Sequence, residues 1–181
     1  MDAPVVHDGL LLAIDAGTTS TRVLAFDAAG RVRAQAGAPI GQHFPRPGWV
    51  EHDALEIRDK TLSCLAAVLA DLGAEARRVQ AVGITNQRET VVVWDRATGE
   101  PIARAIVWQD RRTTARCDRL WRQGKAGLIQ RKTGLVLDAY FSATKLEWLL
   151  EQVPGARARA EAGELAFGTV DSWLLWKLTE G

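Results

Sequence analysis

A single carboxylate, Asp15, stands at the end of the apolar run 10–14, and the turn sequence Ala-Gly-Thr-Thr-Ser follows it at 16–20. Burying a lone carboxylate after an apolar strand is costly unless something compensates its charge. A metal ion beside a phosphate chain provides such compensation, and Mg²⁺ takes few carboxylates together with phosphate and water oxygens. The feature therefore predicts a nucleotide-phosphate site in which Asp15 is the metal-binding residue.

The residues after this carboxylate supply the donors that phosphate oxygens need. Gly17 lacks a Cβ and tolerates positive φ, so backbone N–H groups there can approach an anion closely. Thr18, Thr19 and Ser20 add hydroxyl donors. Arg22 can reach a phosphate or stabilise transferring charge. The same residue types also form an ordinary Asp/Gly/Thr hairpin turn, and that interpretation stays open at this point.

A second polar cluster, Asn-Gln-Arg-Glu at 86–89, separates two apolar strand-like runs. Successive side chains on a strand point to opposite faces, so Arg88 and Glu89 can serve one ligand only if the backbone turns there. With such a turn, Arg88 donates and Glu89 accepts hydrogen bonds, which suits a molecule with adjacent hydroxyl groups. A local ion pair at an exposed strand turn is the alternative.

Two aromatic residues follow apolar runs at loop-like junctions. Trp108 lies in AIVWQDRR and Tyr140 lies in DAYFSATK. An aromatic ring can pack on the C–H face of a small polyol, and the tyrosine hydroxyl can hydrogen-bond to a ligand hydroxyl. Taken alone, both residues are also typical of a hydrophobic core.

The elements that must position these residues alternate between strands and helices. The predicted strands, of which the first is read as a buried strand and the first three as an antiparallel meander, are 10–15, 20–27, 31–37, 79–85, 90–94 and 165–168. The predicted helices run from Asp53 to Gly73, over 111–123 and 125–133, from Ser142 to Pro154, and over 171–179. This βββαβ opening with helical additions predicts an α/β fold with a mixed sheet. It differs from a Rossmann unit, and no P-loop motif is present.

Composition narrows the class of protein. The chain has 181 residues, of which 47% are hydrophobic, enough for one domain with a core. A formal net charge of +1 with interleaved acids and bases gives no support for a nucleic-acid or membrane surface, and the arginines at 111–112 and 157–159 are expected on solvated helix faces. Two cysteines without ligand spacing and three scattered histidines argue against zinc and fit a reducing cytoplasm. We expect residues 1–9 to form a flexible tail and 10–181 to form the folded domain.

Six segments carry a resemblance to a known family. The chain resembles the N-terminal part of the FGGY carbohydrate kinases, and within them the glycerol-kinase branch, over residues 10–179. The matching segments, in the family's order, are DAGTTSTR (15–22), PGWVEHD (47–53), GITNQRET (83–90), AIVWQDRRT (105–113), TGLVLDAYFSATK (133–145) and FGTVDSWLLWKLT (167–179). GITNQRET together with PGWVEHD favours the glycerol branch over the pentulose kinases.

The resemblance implies an actin-like, ribonuclease-H-like ATPase fold and ATP-dependent phosphorylation of glycerol to glycerol 3-phosphate. Asp15 matches the acidic position near Mg²⁺ and the phosphates. The residues that match nucleotide-binding positions are Thr18, Thr19, Ser20 and Arg22. The residues that match the glycerol pocket are Arg88, Glu89, Trp108 and Tyr140. Ala16 stands where many glycerol kinases have Gln, and we expect little effect because backbone cradling does not need that side chain.

The resemblance also implies that the chain is incomplete, because family members continue far beyond residue 181. The general-base Asp and the second domain with the adenine pocket are expected after Gly181, so the isolated chain is expected to be inactive. The expected partners are glycerol and ATP or ADP, in the cytoplasm, without nucleic acid or membrane, and a homo-oligomeric full-length protein is also considered. Three alternatives remain: another FGGY sugar kinase, an actin- or chaperone-type ATPase lobe, and a non-catalytic truncated product.

Overall fold

A computed structural model of the chain describes residues 9–181, so the expected tail over 1–9 lies, apart from Gly9, outside the described residues. The strands are β1 (Leu10–Ala16), β2 (Ser20–Phe26), β3 (Val32–Pro39), β4 (Glu51–His52), β5 (Val79–Asn86), β6 (Val91–Asp95), β7 (Ala105–Ile106) and β8 (Leu165–Thr169). The helices are α1 (Ala54–Leu72), α2 (Thr114–Arg122), α3 (Ala126–Thr133), α4 (Ser142–Gln152), α5 (Ala156–Glu161) and α6 (Val170–Leu178), with a 3₁₀ helix over Gly73–Arg78. None of the helices in this described part is both long and apolar enough to cross a membrane.

The described chain divides into two compact units. The first comprises the described residues up to Gly41 together with Leu55–Asn86, and the second comprises Gln42–Ala54 and Gln87–Gly181. The phosphate-site candidates fall in the first unit, and the polyol-site candidates fall in the second.

The first unit is a four-stranded mixed sheet with the order β3-β2-β1-β5. β1 pairs antiparallel with β2 and parallel with β5, and β2 pairs antiparallel with β3. Helix α1 lies against this sheet, where the buried hydroxyl groups of Thr21 and Thr61 hydrogen-bond at 2.9 Å. The expected meander, the mixed sheet and the βββαβ opening are therefore confirmed, with only the two-residue strand β4 inserted before α1.

Burial along β1 alternates, although its sequence does not. Leu10, Leu12 and Ile14 are buried, whereas Leu11 between them is 52% exposed. The expectation of a strand buried throughout is therefore wrong for one face of β1. The described residues do not cover that face, so apolar side chains there remain in contact with solvent.

The second unit is built around β6, which is buried on both faces. Its sheet has the order β4-β7-β6-β8, with antiparallel pairing throughout. Val91 and Val93 belong to one buried cluster with Leu149 of α4. On the other face the Trp94 ring lies 5.4 Å from the ring of Trp173 in α6. The two-residue strands β4 and β7 were not predicted, because strands this short leave no alternation to detect.

Candidate functional site

Asp15 and Arg22 are cross-strand neighbours in the β1–β2 hairpin. Arg22 Nη2 donates to Asp15 Oδ2 at 2.6 Å, and the two side chains are 61% and 32% exposed. The Asp15 carboxylate is therefore only partly buried, and a guanidinium already compensates its charge. One accessible carboxylate is a donor set that fits Mg²⁺ bound mainly through phosphate and water, and the described chain holds no cluster of three or more His, Cys, Asp or Glu residues suited to a metal.

Two glycines, one in the hairpin turn and one on the neighbouring strand β3, provide space that a side chain would fill. A Cβ on Gly17 would lie 3.1 Å from the carbonyl oxygen of Ser20, so the turn is tight at that point. Gly17 is not among the described glycines with positive φ, so close approach, rather than a left-handed conformation, explains the residue. A Cβ on Gly37 of β3 would lie 3.0 Å from Cγ of Arg22, so Gly37 leaves space for the Arg22 side chain.

The predicted hydroxyl donors lie where the hairpin turns. Thr19 is exposed, and Thr18 and Ser20 are partly exposed. The Thr19 carbonyl accepts a hydrogen bond from the backbone N–H of Ile40 at 2.9 Å, which fixes the turn against the residue after β3. The hairpin thus places Thr18, Thr19, Ser20 and Arg22 around one short connection.

The backbone turns at Arg88 and Glu89. The sequence requires such a turn if the two side chains are to bind one ligand. Glu89 has φ of 66°, a left-handed conformation that is uncommon for a residue with a side chain. The turn is fixed at both ends: Thr90 Oγ1 donates to Gln87 Oε1 at 2.9 Å, and Gln87 Nε2 donates to His52 Nδ1 at 3.0 Å. Such an outlier, held by buried hydrogen bonds, is typical of a functional position.

The Glu89 carboxylate lies at the N-terminus of α4. Its Oε2 accepts from the backbone N–H of Ser142 at 2.9 Å and from the Ser142 hydroxyl at 2.6 Å. Because negative charge is favourable at a helix N-terminus, this contact holds the carboxylate in place. Glu89 Oε1 and the exposed Arg88 guanidinium have no hydrogen-bond partner among the described residues. The local Arg88–Glu89 ion pair that was the alternative is not formed in this part of the chain.

The two aromatic candidates contact each other. The rings of Trp108 and Tyr140 have centroids 5.6 Å apart and planes inclined by 60°. The backbone N–H of Trp108 donates to Thr90 Oγ1 at 3.2 Å, and that of Tyr140 donates to Asp138 Oδ1 at 2.7 Å. Arg111 donates to both oxygens of Asp138, and this hydrogen bonding lowers the pKa of the Asp138 carboxyl below its ordinary value. The structure therefore brings Arg88, Glu89, Trp108 and Tyr140 to one place in the second unit.

Lys145 belongs to the same place and was not predicted from the sequence. Its side chain is fully buried, and Nζ donates to the backbone carbonyl oxygens of Glu89, at 3.3 Å, and Tyr140. Burial lowers the pKa of Lys145 to about 8. One signal could have indicated it: Lys145 stands four residues before the buried Leu149, so it occupies the apolar stripe of α4.

The segments PGWVEHD and AIVWQDRRT meet at Arg112. Its guanidinium lies 3.8 Å from the ring centroid of Trp49 and 4.6 Å from that of Trp148. Its Nη2 lies 2.8 Å from both Asp110 Oδ2 and Glu51 Oε1. The side chain is 2% exposed, so the expectation of a solvated helix face is wrong for Arg112, because carboxylates and aromatic faces replace its water. The two segments form the buried frame that carries the connection after β7.

The class of protein follows from the sheet order and the hairpin: the chain has an actin-like ATPase fold, incomplete and of the kind found in sugar kinases. Its described residues superpose on the glycerol kinase of Plasmodium falciparum, solved with ADP, with a TM-score of 0.90 and 34% sequence identity, over 96% of this chain and 35% of that one. A xylulose kinase from Rhodospirillum rubrum shares the fold with a TM-score of 0.82 and 23% identity, over 92% of this chain and 33% of that one.

The particular family follows from the sequence. The family model described as "FGGY family of carbohydrate kinases, N-terminal domain" matches residues 10–181, and the chain belongs to this family. A glycerol kinase from Dechloromonas aromatica (strain RCB) is 60% identical over 174 residues, which are 96% of this chain and 35% of that protein. The chain therefore spans about a third of the length of the curated relatives that it matches.

Proposed function

We propose that this chain is the N-terminal part of a longer kinase that phosphorylates glycerol to glycerol 3-phosphate with ATP. The observation that carries the proposal is the turn at Arg88 and Glu89, which presents an exposed guanidinium and an available carboxylate oxygen close to the contacting rings of Trp108 and Tyr140. Family membership supports the reaction class, and the 60% identity to a glycerol kinase supports the acceptor. Coverage of only 35% of that relative supports a longer protein.

The acceptor pocket would recognise glycerol by hydrogen bonds at one end and by packing at the other. Arg88 donates to a hydroxyl oxygen, and Glu89 Oε1 accepts from a neighbouring hydroxyl group, since each hydroxyl can do both. The rings of Trp108 and Tyr140 pack on the C–H face of the ligand, and the Tyr140 hydroxyl offers one more hydrogen bond. Because Oε2 is held by Ser142, the free oxygen has a fixed direction.

The hairpin of the first unit would bind the phosphates of ATP. The hydroxyl groups of Thr18, Thr19 and Ser20 and the guanidinium of Arg22 donate to phosphate oxygens. Asp15 would hold Mg²⁺, directly or through water. When bound, this ion neutralises charge on the phosphates.

The reaction would be an in-line displacement. The attacking glycerol oxygen forms a bond to the γ-phosphorus as the bond from phosphorus to the bridging oxygen of ADP breaks. We assign the proton of that hydroxyl to an Asp beyond Gly181, and we assign closure over the substrates to a second domain there. On this assignment the 181-residue chain binds ligands but does not turn them over.

The proposal extends to the cellular location and the partners of the full-length protein. We place it in the cytoplasm, supported by the free and buried state of Cys64 and Cys117. We assign it no nucleic-acid or membrane partner, on the basis of its balanced charge, and we retain a homo-oligomeric full-length protein as part of the proposal.

The test is a coupled ADP-release assay on the gene product that continues past Gly181, with glycerol and xylulose as acceptors. Glycerol-dependent turnover supports the proposal, and turnover with xylulose alone assigns another FGGY sugar kinase. ATP hydrolysis that ignores both acceptors would favour the actin- or chaperone-type ATPase. Turnover by the purified 181-residue chain would refute the assignment of the base beyond Gly181. A change of tryptophan fluorescence with glycerol reports binding at Trp108 in either protein.

A further inference from the structure

Lys145 lies in the first turn of α4, where a buried ammonium group meets two backbone carbonyl groups. The residue has 0% of its surface exposed. Its Nζ donates to the carbonyl oxygen of Tyr140 and, at 3.3 Å, to that of Glu89. A buried ammonium group without such acceptors would be strongly unfavourable, so these contacts are what keeps Lys145 inside the unit.

The same helix turn holds Glu89 from two directions. Ser142 binds the carboxylate through its backbone N–H and hydroxyl groups, and Lys145 binds the backbone carbonyl. Between these contacts the backbone of Glu89 adopts φ of 66°. A left-handed non-glycine residue persists only where its surroundings impose that conformation, and Lys145 is one of the groups that do so.

We propose that Lys145 is a positioning residue of the acceptor pocket, which fixes the backbones of Glu89 and Tyr140 together and thereby sets the distance between the carboxylate and the aromatic ring that bind the acceptor. The inference rests on the proposed function, because it assigns a role at the glycerol pocket. It goes beyond that function, because Lys145 itself contacts neither glycerol nor ATP in this assignment.

The charged groups around Lys145 determine how its protonation, and with it the acceptor pocket, depends on pH. The charged groups that face Lys145 are Glu89, Asp110 and Asp138, which favour its ammonium form, and Arg111, which opposes it. Burial is the largest influence and lowers the pKa to about 8. Above this pH the ammonium form is lost, its two hydrogen bonds weaken, and the pocket loosens. The affinity for glycerol is therefore expected to fall as pH rises through about 8.

Folding stability responds to the same group with the opposite sign. The ordinary pKa of lysine, 10.5, applies to the unfolded chain, and the folded pKa is about 8. The unfolded chain therefore binds more protons between these values. The contribution of Lys145 to stability is fully present above the unfolded pKa and is lost as pH falls through the folded pKa. If Lys145 acted only on folding, the affinity for glycerol would not fall over the pH range in which its contribution to stability increases.

The experiment measures kcat and KM for glycerol from pH 7 to 9.5 in the full-length protein and three variants. Lys145→Met removes the donor, and Lys145→Arg keeps a positive charge at every pH used. Lys177→Met is the matched control, because Lys177 Nζ donates to the carbonyl oxygen of Gly99 at 2.9 Å in the same unit but far along the chain from the pocket residues. Glycerol binding followed by tryptophan fluorescence at each pH separates affinity from turnover.

The expected results differ between the variants. Lys145→Met raises KM for glycerol about ten-fold or more, the loss expected for a hydrogen bond from a charged group, and changes kcat less. Lys145→Arg abolishes the rise of KM above pH 8, whereas Lys177→Met keeps the wild-type KM and its pH dependence. Thermal unfolding measured in parallel follows the opposite pH trend in the wild type.

Three outcomes separate failure of the proposed function from failure of the positioning role. If the wild type shows no glycerol-dependent signal, the proposed function fails. If the wild type binds glycerol and Lys145→Met has the same KM, only the positioning role fails. If Lys145→Met does not fold, the comparison of wild type with Lys145→Arg decides: identical pH dependence of KM refutes the role, and a flat profile in Lys145→Arg supports it.

Discussion

Arg22 Nη2 and Asp15 Oδ2 lie 2.6 Å apart across the β1–β2 hairpin, so the residues proposed for phosphate and for metal are each other's partner. The register of the two strands sets this pairing, and Gly37 on the next strand leaves room for the Arg22 side chain. On the proposed assignment, Mg²⁺ and Arg22 would therefore compete for one carboxylate. Binding of Mg-ATP would resolve the competition, because the phosphates offer the guanidinium a new acceptor.

Removing Arg22 is expected to change the metal requirement in the direction opposite to removing Asp15. Arg22→Ala frees the carboxylate and lowers the Mg²⁺ concentration for half-maximal activity, by up to about five-fold for an exposed pair, while weakening ATP binding. Asp15→Asn raises that concentration. Activity of the full-length protein titrated with Mg²⁺ at saturating glycerol measures both.

Arg31→Ala is the control for this titration, because Arg31 pairs with Asp27 at 2.9 Å in the next turn of the same sheet. It should leave the Mg²⁺ requirement unchanged. A higher Mg²⁺ requirement in Arg22→Ala would show that Arg22 does not compete for Asp15.

The left-handed backbone of Glu89 predicts that two variants without the carboxylate differ in stability. Glu89→Ala and Glu89→Gly both remove the carboxylate and should weaken glycerol binding to a similar extent. Glycine adopts positive φ without steric cost, so Glu89→Gly should be about 1 kcal/mol more stable than Glu89→Ala. Urea unfolding gives the free energies, and fluorescence titration gives the affinities. Equal stability of the two variants would mean that the strain at Glu89 is absent in solution.

The Arg112 cluster predicts a large stability effect at a residue outside the ligand sites. Arg112→Met removes the guanidinium that compensates the charges of Asp110 and Glu51 and should cost about 3–5 kcal/mol of unfolding free energy. Arg159→Met breaks the pairs with Asp95 and Glu164 at a side chain that is 37% exposed, and should cost less than about 1 kcal/mol. Far-UV circular dichroism in urea compares the two. Similar losses would contradict a buried structural role for Arg112.

Exposed apolar side chains of the first sheet predict self-association of the 181-residue chain. Leu11 of β1 is 52% exposed. Val82 pairs with the buried Leu12, so it lies on the opposite face from Leu11, and it is 48% exposed because β5 ends the sheet order. Exposed apolar residues on an edge strand favour pairing between molecules, and a charge there opposes it. Val82→Lys should therefore shift the chain toward monomer in sedimentation velocity. Phe44→Lys, at a 66% exposed site outside the sheet, is the control. A monomeric wild-type chain would remove the basis of this prediction.

The sequence predicted the frame of the protein well because period and turn chemistry are local signals. The strands of the meander, the helix before Gly73 and the helices after residue 109 lie within a few residues of their predicted bounds. What it could not predict depends on contacts distant in the chain. Arg112 reads as a surface residue until Trp49 and Trp148 are brought to its two faces.

For the candidate site, the sequence predicted residue types, and the fold adds how these residues are held. The residue types at the Arg88–Glu89 turn indicate polyol chemistry, yet only the fold shows that Ser142 holds one oxygen of Glu89. The spacing of Lys145 to Leu149 signals burial, but the partners of Lys145 could not be predicted, because they are backbone carbonyl groups, which every residue possesses.

The residues proposed for the acceptor pocket all lie on connections rather than on strands. Arg88 and Glu89 join β5 to β6, Trp108 follows β7, and Tyr140 precedes α4, while β6 and β7 beneath them are buried. Substitutions in these three connections leave the hydrogen bonding of the sheet intact. On the proposed function, acceptor preference is free to diverge while the frame persists, and efforts to redirect the full-length protein toward a new acceptor should begin by rebuilding these connections and leave the sheets untouched.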